Sequence, residues 1–294
     1  MTASRAQIWL AAARPRTLPA AAAPVVIGCA LAVGHGALAL IPSLAALVAA
    51  LLIQIGTNFA NDYYDFIKGT DTHTRIGPTR ATQAGLVTPT EMKRATYIVF
   101  TLALLVGCYL VWRTGWPIAL IGVLSIAFGL LYTAGPFPLG YNGLGDIFVL
   151  VFFGPVAVAG TYYVNTLAWG GEAIVAGLMP GLFSVGILTI NNLRDIEDDR
   201  VAGKRTLAVR FGRKFARIEY LLCVIAPHGL ALGLALFEQR RLALVSLAVL
   251  IPTLPALRQV WSSDDGPMLN SMLAATGRLL ILHAVIFSIG WVLM

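Results

Sequence analysis

"LAALVAALLIQIGTNFANDYYDFIKGTD", Leu44 to Asp71, opens apolar and closes on Asp62, Asp65, Lys68 and Asp71. The apolar part is long enough for a membrane-spanning helix. Ionised side chains inside hydrocarbon are costly and are kept where they serve a function. The run therefore predicts a helix that crosses the bilayer and delivers its carboxylates to one membrane face, where they hold something.

The rest of the chain agrees with that beginning. Its 294 residues are 58% hydrophobic and 12% charged, with a net charge of +7 and a mean hydropathy of +0.79. A soluble domain carries about 25% charged residues. Apolar stretches of about 18 to 24 residues recur along the chain, each able to cross about 30 Å of hydrocarbon. The short alternating segments of a barrel are absent. The fold class is thus an all-α polytopic membrane protein, read as a single domain over 1–294. Nine spans are expected, at 17–34, 43–66, 92–112, 116–134, 145–168, 173–194, 215–236, 241–261 and 272–293. Residues 6–13, set off by Arg14-Pro15-Arg16, read as a short surface helix.

Basic residues orient the spans. With the N-terminus in the cytoplasm, 18 of the 21 Lys and Arg fall on that side, leaving Arg113, Arg240 and Arg241 outside. This is the positive-inside pattern. It accounts for the net charge without a soluble basic face, so nucleic-acid binding is not expected, and the basic loops are expected to meet anionic lipid headgroups. Cys29, Cys108 and Cys223 lie in apolar runs without metal spacing and read as small buried hydrophobes. His35, His73, His228 and His283 are isolated in sequence and are given no ligand role.

Acidic residues are as unevenly placed. Seven of the 14 carboxylates lie in two segments, Asp62, Asp65 and Asp71 in the first and Asp195, Glu197, Asp198 and Asp199 in the second. Both come after even-numbered spans, so both reach the cytoplasmic face. Asn61 and Asp65 share a helix face, as do Asn58 and Asp62; Asn191, Asp195 and Asp199 form one row at four-residue steps. Two such rows facing each other make an oxygen-rich pocket suited to Mg²⁺, which takes one or two carboxylates plus substrate phosphates. Glu197 and Asp198 read as ordinary partners of nearby Arg and Lys. Lys68, Arg75, Arg80, Arg194, Lys204 and Arg205 surround the acids, and acid with base and metal points to a pyrophosphate carried on the metal. The loops at about 67–92 and 195–214 would form a polar cytoplasmic cap.

These residues have a family resemblance. "NDYYDFIKGTD" with the subsequent "RIGPTRATQAGLVTPTEMKRA" (75–95) resembles the first motif of the UbiA superfamily of intramembrane aromatic prenyltransferases, and "NNLRDIEDDRVAGKRTLAVRFG" (191–212) resembles the second. "ARPRTLPAAAAPVVIG" (13–28) and "LYTAGPFPLGYNGLGDIFVLVFFGPVAVAGTYYV" (131–164) are similar to the subfamily that acts on 1,4-dihydroxy-2-naphthoate. The resemblance runs from about residue 14 to 217. It implies nine helices around a central cavity and Mg²⁺-dependent transfer of a polyprenyl group from its diphosphate to the naphthoate, with loss of CO₂. It implies metal ligands at Asn61, Asp65, Asp71, Asp195 and Asp199, Asp71 standing in for the family's third position, which is Gly69 here. The catalytic set would be Asp65, Asp195, Asp199 and Lys68. Substrate contacts would come from Asn61, Asn191, Asn192, Arg75, Arg80, Lys204, Arg205, Tyr132 and Asp146. Tyr63, Tyr64, Tyr132, Phe152, Phe153, Tyr162 and Tyr163 are the aromatic faces open to a prenyl cation. The partners implied are a polyprenyl diphosphate, the naphthoate and the lipid bilayer of a bacterial cytoplasmic membrane.

Two other kinds of protein fit parts of the pattern. A relative using 4-hydroxybenzoate or homogentisate would share both acidic segments. A secondary transporter would use carboxylates for ion coupling, but near the bilayer midplane, whereas here they gather at one face.

Overall fold

A computed structural model describes residues 4–70, 77 and 79–293. Among the described residues, twelve α-helices succeed one another in chain order: α1 Arg5–Ala12, α2 Leu18–Gly34, α3 Leu40–Ile67, α4 Pro89–Thr114, α5 Trp116–Leu131, α6 Gly145–Phe152, α7 Pro155–Thr166, α8 Gly171–Arg194, α9 Ile196–Val201, α10 Leu207–Phe237, α11 Leu250–Ser262 and α12 Gly266–Leu293. The described residues contain no strand.

Among the described residues, eight segments are long and apolar enough to cross a membrane. The remaining expected span, the fourth, is α5, whose 16 residues reach only about 24 Å at the helical rise of about 1.5 Å per residue. Two spans are composite. The fifth is α6 and α7, interrupted at Gly154; the eighth begins as a 3-10 stretch, Arg241–Val249, and continues as α11. The surface helix expected at 6–13 is α1, closed by a capping box between Ser4 and Gln7. Thr88 and Glu91 close the same kind of box on α4. Each box satisfies backbone N–H groups that a helix start leaves without partners.

Small residues set the closest helix approach. A Cβ on Gly177 would stand 2.6 Å from Pro155 Cα, and one on Gly181 would stand 2.6 Å from the Leu150 carbonyl oxygen. A Cβ on Gly154 would collide with that same oxygen. The α6–α7 break therefore lies directly on α8, a glycine crossing of the kind that lets helices pack where lipid supplies no hydrophobic drive. The main core lies along α2, α8, α10 and α12, with Ile27, Phe183, Val224 and Phe287 fully buried.

The two ends of the bundle differ in chemistry. One gathers α1, the C-terminal ends of α3 and α8, α9 and the 132–144 loop, joined by ion pairs. The other exposes Trp112, Trp116 and Trp169, the amphipathic aromatics of a membrane interface. Arg240, one of the three basic residues at this second end, donates from Nη2 to the Gly34 carbonyl oxygen at 2.8 Å and lies over the Trp291 ring. It thus satisfies the C-terminus of α2, where a cation is electrostatically favoured. Cys223 is buried as expected, but Cys108 is exposed; its face of α4 looks into a cavity rather than a core.

Candidate active site

A cavity of about 800 Å³ runs through the bundle, lined from Asp65, Asp195 and Asp199 at the polar end to Trp112 and Ile118 at the other. Its apolar wall includes Phe128, Phe148 and Phe152, with the Phe148 and Phe152 rings nearly parallel at 7°. Both acidic segments open into this one space. That relationship was expected from sequence, and its details depend on residues between the motifs.

Asp65 is buried at the last turns of α3. Its Oδ2 accepts from Arg80 Nη2 at 2.5 Å and its Oδ1 accepts from the Tyr141 hydroxyl at 2.5 Å. Asn61, one turn earlier, accepts from the Thr133 hydroxyl. Asp62, on the neighbouring strip, does something else. Its two oxygens accept from the backbone N–H groups of Ala81 and Thr82, at 2.9 and 3.0 Å. It pins the loop that carries Arg80, much as a helix cap would. Asn58 likewise braces structure, donating to the Ala13 carbonyl oxygen.

In the second segment α8 ends at Arg194, and Asp195 turns the chain into α9. The helical hydrogen bonds nevertheless continue from Asp195 to Asn191 and from Asp199 to Asp195, so all three side chains reach the cavity. Asp195 is gripped by both Nε and Nη2 of Arg194, at 2.7 and 2.5 Å. The guanidinium also donates to Asn191 and Asn270, and its side chain is completely buried. Asp199 pairs with Lys204 at 3.0 Å. Glu197 pairs with Arg200 and Arg213 at the surface, as expected.

Tyr141 joins the two halves, although it lies outside both acidic motifs. While its hydroxyl binds Asp65, its ring lies under two ammonium groups, Lys68 at 5.0 Å and Lys204 at 4.9 Å. Its carbonyl oxygen accepts the Arg205 backbone N–H at 2.6 Å. Lys68 Nζ also donates to the Thr133 carbonyl oxygen at 2.6 Å. Partial burial holds the Lys68 ammonium below its ordinary pKa, and the Asp65 charge opposes that shift.

Several expectations need correction. Asn192 is buried and does not line the cavity, and the Arg205 side chain is exposed outside it. Asn192 misses because it stands one helical step, about 100°, round α8 from the cavity-facing Asn191; Arg205 misses because it lies in the turn before α10. Asp146 lies behind the wall rather than in it. Tyr132 does line the cavity. Of the other aromatic residues expected, Phe152 and Phe153 line the cavity. Tyr162 meets His35 and Tyr163 stacks on Trp169 at the far end, while Tyr63 lies under Lys93. Asp71 and Arg75 fall outside the described residues.

The described residues hold no group of three or more His, Cys, Asp or Glu side chains placed to bind a metal by themselves. The donor set still fits Mg²⁺. Asn61, Asp65, Asn191, Asp195 and Asp199 are all oxygen donors on one cavity, and Mg²⁺ takes few carboxylates when phosphate oxygens complete its shell.

Fold and site together define a polytopic α-helical membrane protein that gathers acids and bases at one mouth of an apolar chamber. The chain matches the UbiA prenyltransferase family over residues 21–275 and belongs to it. It is 40% identical to the 1,4-dihydroxy-2-naphthoate octaprenyltransferase of Escherichia coli, covering 98% of this chain and 96% of that protein. It is also 40% identical to the enzyme of the same name from Mycobacterium tuberculosis, over 94% of each chain. Among solved structures, a UbiA homolog from Archaeoglobus fulgidus bound to GPP and Mg²⁺ superposes with a TM-score of 0.69 at 15% identity, over 96% of this chain and 99% of that one.

Proposed function

We propose that this chain transfers a polyprenyl group from a polyprenyl diphosphate to 1,4-dihydroxy-2-naphthoate, releasing diphosphate and CO₂ and giving demethylmenaquinol, the reduced form of demethylmenaquinone. The observation that carries the reading is the meeting of Asp65, Asp195 and Asp199, with Arg80, Arg194 and Lys204, at one mouth of an apolar cavity. Acids and bases at the mouth suit a metal-borne diphosphate; the apolar chamber suits its tail. The choice of the naphthoate as acceptor rests on the relatives from Escherichia coli and Mycobacterium tuberculosis.

Asn61, Asp65, Asp195 and Asp199, with Asn191 beside them, would hold Mg²⁺; Asp71 belongs to the same set by sequence. The bound ion supplies charge neutralisation at the diphosphate as its bond to the prenyl carbon breaks. Lys68, Lys204 and Arg80 orient the diphosphate oxygens and share its charge. Phe128, Phe148 and Phe152 exclude water and offer ring faces to the allylic cation. Tyr132 orients the naphthoate, which attacks through a ring carbon. The tail lies along the cavity towards α4 and α5 and into lipid. The site faces the cytoplasm of a bacterial inner membrane, with the N-terminus on the same side. The whole chain acts as one domain, capped by its loops at about 67–92 and 195–214.

The test incubates membranes bearing the protein with a polyprenyl diphosphate and either dihydroxynaphthoate or 4-hydroxybenzoate, with Mg²⁺ or EDTA. Product is expected from the naphthoate alone, only with Mg²⁺, and is abolished in Asp65→Ala and Asp195→Ala. Full activity in both variants overturns the site assignment. Product from 4-hydroxybenzoate alone overturns the acceptor.

A further inference from the structure

The last helix carries none of the acidic motifs, yet its first turns reach the second of them. Asp265 caps α12: its Oδ2 accepts the Met268 backbone N–H at 2.9 Å, satisfying a donor that a helix start leaves open. Asn270 follows in those turns, next to the fully buried Leu269, and Leu273, three residues on, is part of the cavity wall. Asn270 does not line the cavity itself. Its Oδ1 accepts from Arg194 Nη1 at 2.5 Å, across 76 positions of sequence.

The Arg194 guanidinium is planar, so the directions of its bonds are linked. Nε and Nη2 hold the two oxygens of Asp195 at 2.7 and 2.5 Å, and Nη2 also donates to Asn191 Oδ1 at 2.8 Å. Those bonds stay within the end of α8 and the residue after it. Nη1 lies outside that fork and ties the plane to a second helix. Turning the plane away from Asn270 would re-aim the donors that hold Asn191 and Asp195, and both of these side chains face the cavity. The segment before α12 has a separate fastening at the surface, where Asp264 accepts from Arg213 at 3.1 Å and from Arg217 at 2.9 Å.

We infer that Asn270 is a positioning residue for the divalent ion: acting through Arg194, it sets the orientation in which Asn191 and Asp195 offer oxygen to the metal. The inference deepens the proposed function and rests on its reading of those two side chains as metal ligands. Ligands are aimed by their outer hydrogen bonds, and loss of such an outer partner lowers metal affinity or activity by about 10- to 100-fold. Asn270 touches neither metal nor substrate. Its contribution is to fix the far corner of a buried guanidinium whose other donors grip the ligands.

The experiment reads binding rather than turnover. The full chain in detergent is melted across a Mg²⁺ titration, with a prenyl thiodiphosphate, whose C–S bond resists ionisation, held at a fixed saturating concentration. A ligand that binds the folded state raises the melting temperature by mass action, so the Mg²⁺ concentration at half the rise measures metal binding. In Asn270→Leu, which keeps the shape and loses the acceptor, that concentration should rise about 10-fold or more. Asn270→Asp keeps an oxygen in place and should stay within about threefold of wild type, below the scale of a lost outer partner. Asp264→Asn loosens the same segment without reaching Arg194 and should leave the Mg²⁺ midpoint unchanged. If Asn270→Leu does not fold, Asn270→Ser, too short to reach Nη1, carries the test. An unchanged midpoint in the variant that lacks the acceptor overturns the inference. So does an equal shift in Asn270→Asp, or in Asp264→Asn, which would assign the effect to the order of the segment. A wild-type chain whose melting does not respond to Mg²⁺ removes the metal reading, and this inference with it.

Discussion

The Tyr141 hydroxyl donates to Asp65 at 2.5 Å while the Tyr141 ring lies under the ammonium groups of Lys68 and Lys204. One loop residue thereby touches the first acidic segment and a cation that pairs with the second. Tyr141→Phe keeps the ring and removes the hydrogen bond. A hydrogen bond to a charged group contributes about 1.5 to 3 kcal/mol. The variant is expected to fold and to bind polyprenyl diphosphate about 10-fold or more weakly, read from the KM of the prenyl donor. Asp62→Ala should behave differently. It removes two charge-assisted bonds to the loop backbone, so the melting temperature in detergent should fall while the folded protein keeps its turnover, whereas Asp65→Asn, which removes one side of the buried Asp65–Arg80 pair, should lose both stability and turnover. Equal melting of Asp62→Ala and wild type would overturn the division of labour between these two aspartates.

The Arg194–Asp195 pair is buried, with side-chain exposures of 0% and 7%. Removing one member of such a pair costs about 3 to 5 kcal/mol, because the other charge remains in a low-dielectric site. Asp195→Leu alone should therefore destabilise the protein strongly. The double variant Arg194→Met, Asp195→Leu should recover most of that stability and remain inactive. Thermal unfolding and product formation, measured on the same preparations, separate the structural cost from the catalytic one.

The third prediction concerns pH. Burial depresses the Lys68 pKa more than the nearby Asp65 charge raises it. The amine therefore loses its proton at a lower pH than an ordinary lysine, and with it the attraction for diphosphate. The KM for prenyl diphosphate should rise on the alkaline side before an unperturbed lysine would cause it to. Lys68→Arg should move that rise to higher pH, because a guanidinium keeps its charge. An alkaline limb that is the same in both proteins would exclude Lys68 as its source.

Much of the fold and site is legible from the residues. The spans are written in apolar run length, and the polar mouth in the clustering of acids and bases after even-numbered spans. Hydropathy does not report the path of a loop. Tyr141 sits in "PFPLGYNGLG", a Gly- and Pro-rich stretch without periodicity. Its signals are an aromatic residue in a turn on the charged side and its place in the 131–164 stretch that is similar to the naphthoate subfamily. Helix spacing places Asn191, Asp195 and Asp199 correctly because the hydrogen bonds persist across the turn. It does not choose between Asn191 and Asn192, and it gives no position for Arg205, which lies in the turn before α10. The pairing of His228 with His283, whose rings are 5.0 Å apart, is invisible in the sequence for a simpler reason: 55 positions separate them.

The crossing of Gly154 with Gly177 and Gly181 has a consequence for how this chamber can evolve. There the main chains of two segments are in direct contact, with no side chain available to trim or enlarge. The width of the chamber beside α6 is therefore set by peptide geometry. Selection can retune the tail-facing surface through α4 and α5, where Gly107 and Gly122 have open space around them, while the opposite wall stays at a fixed gauge.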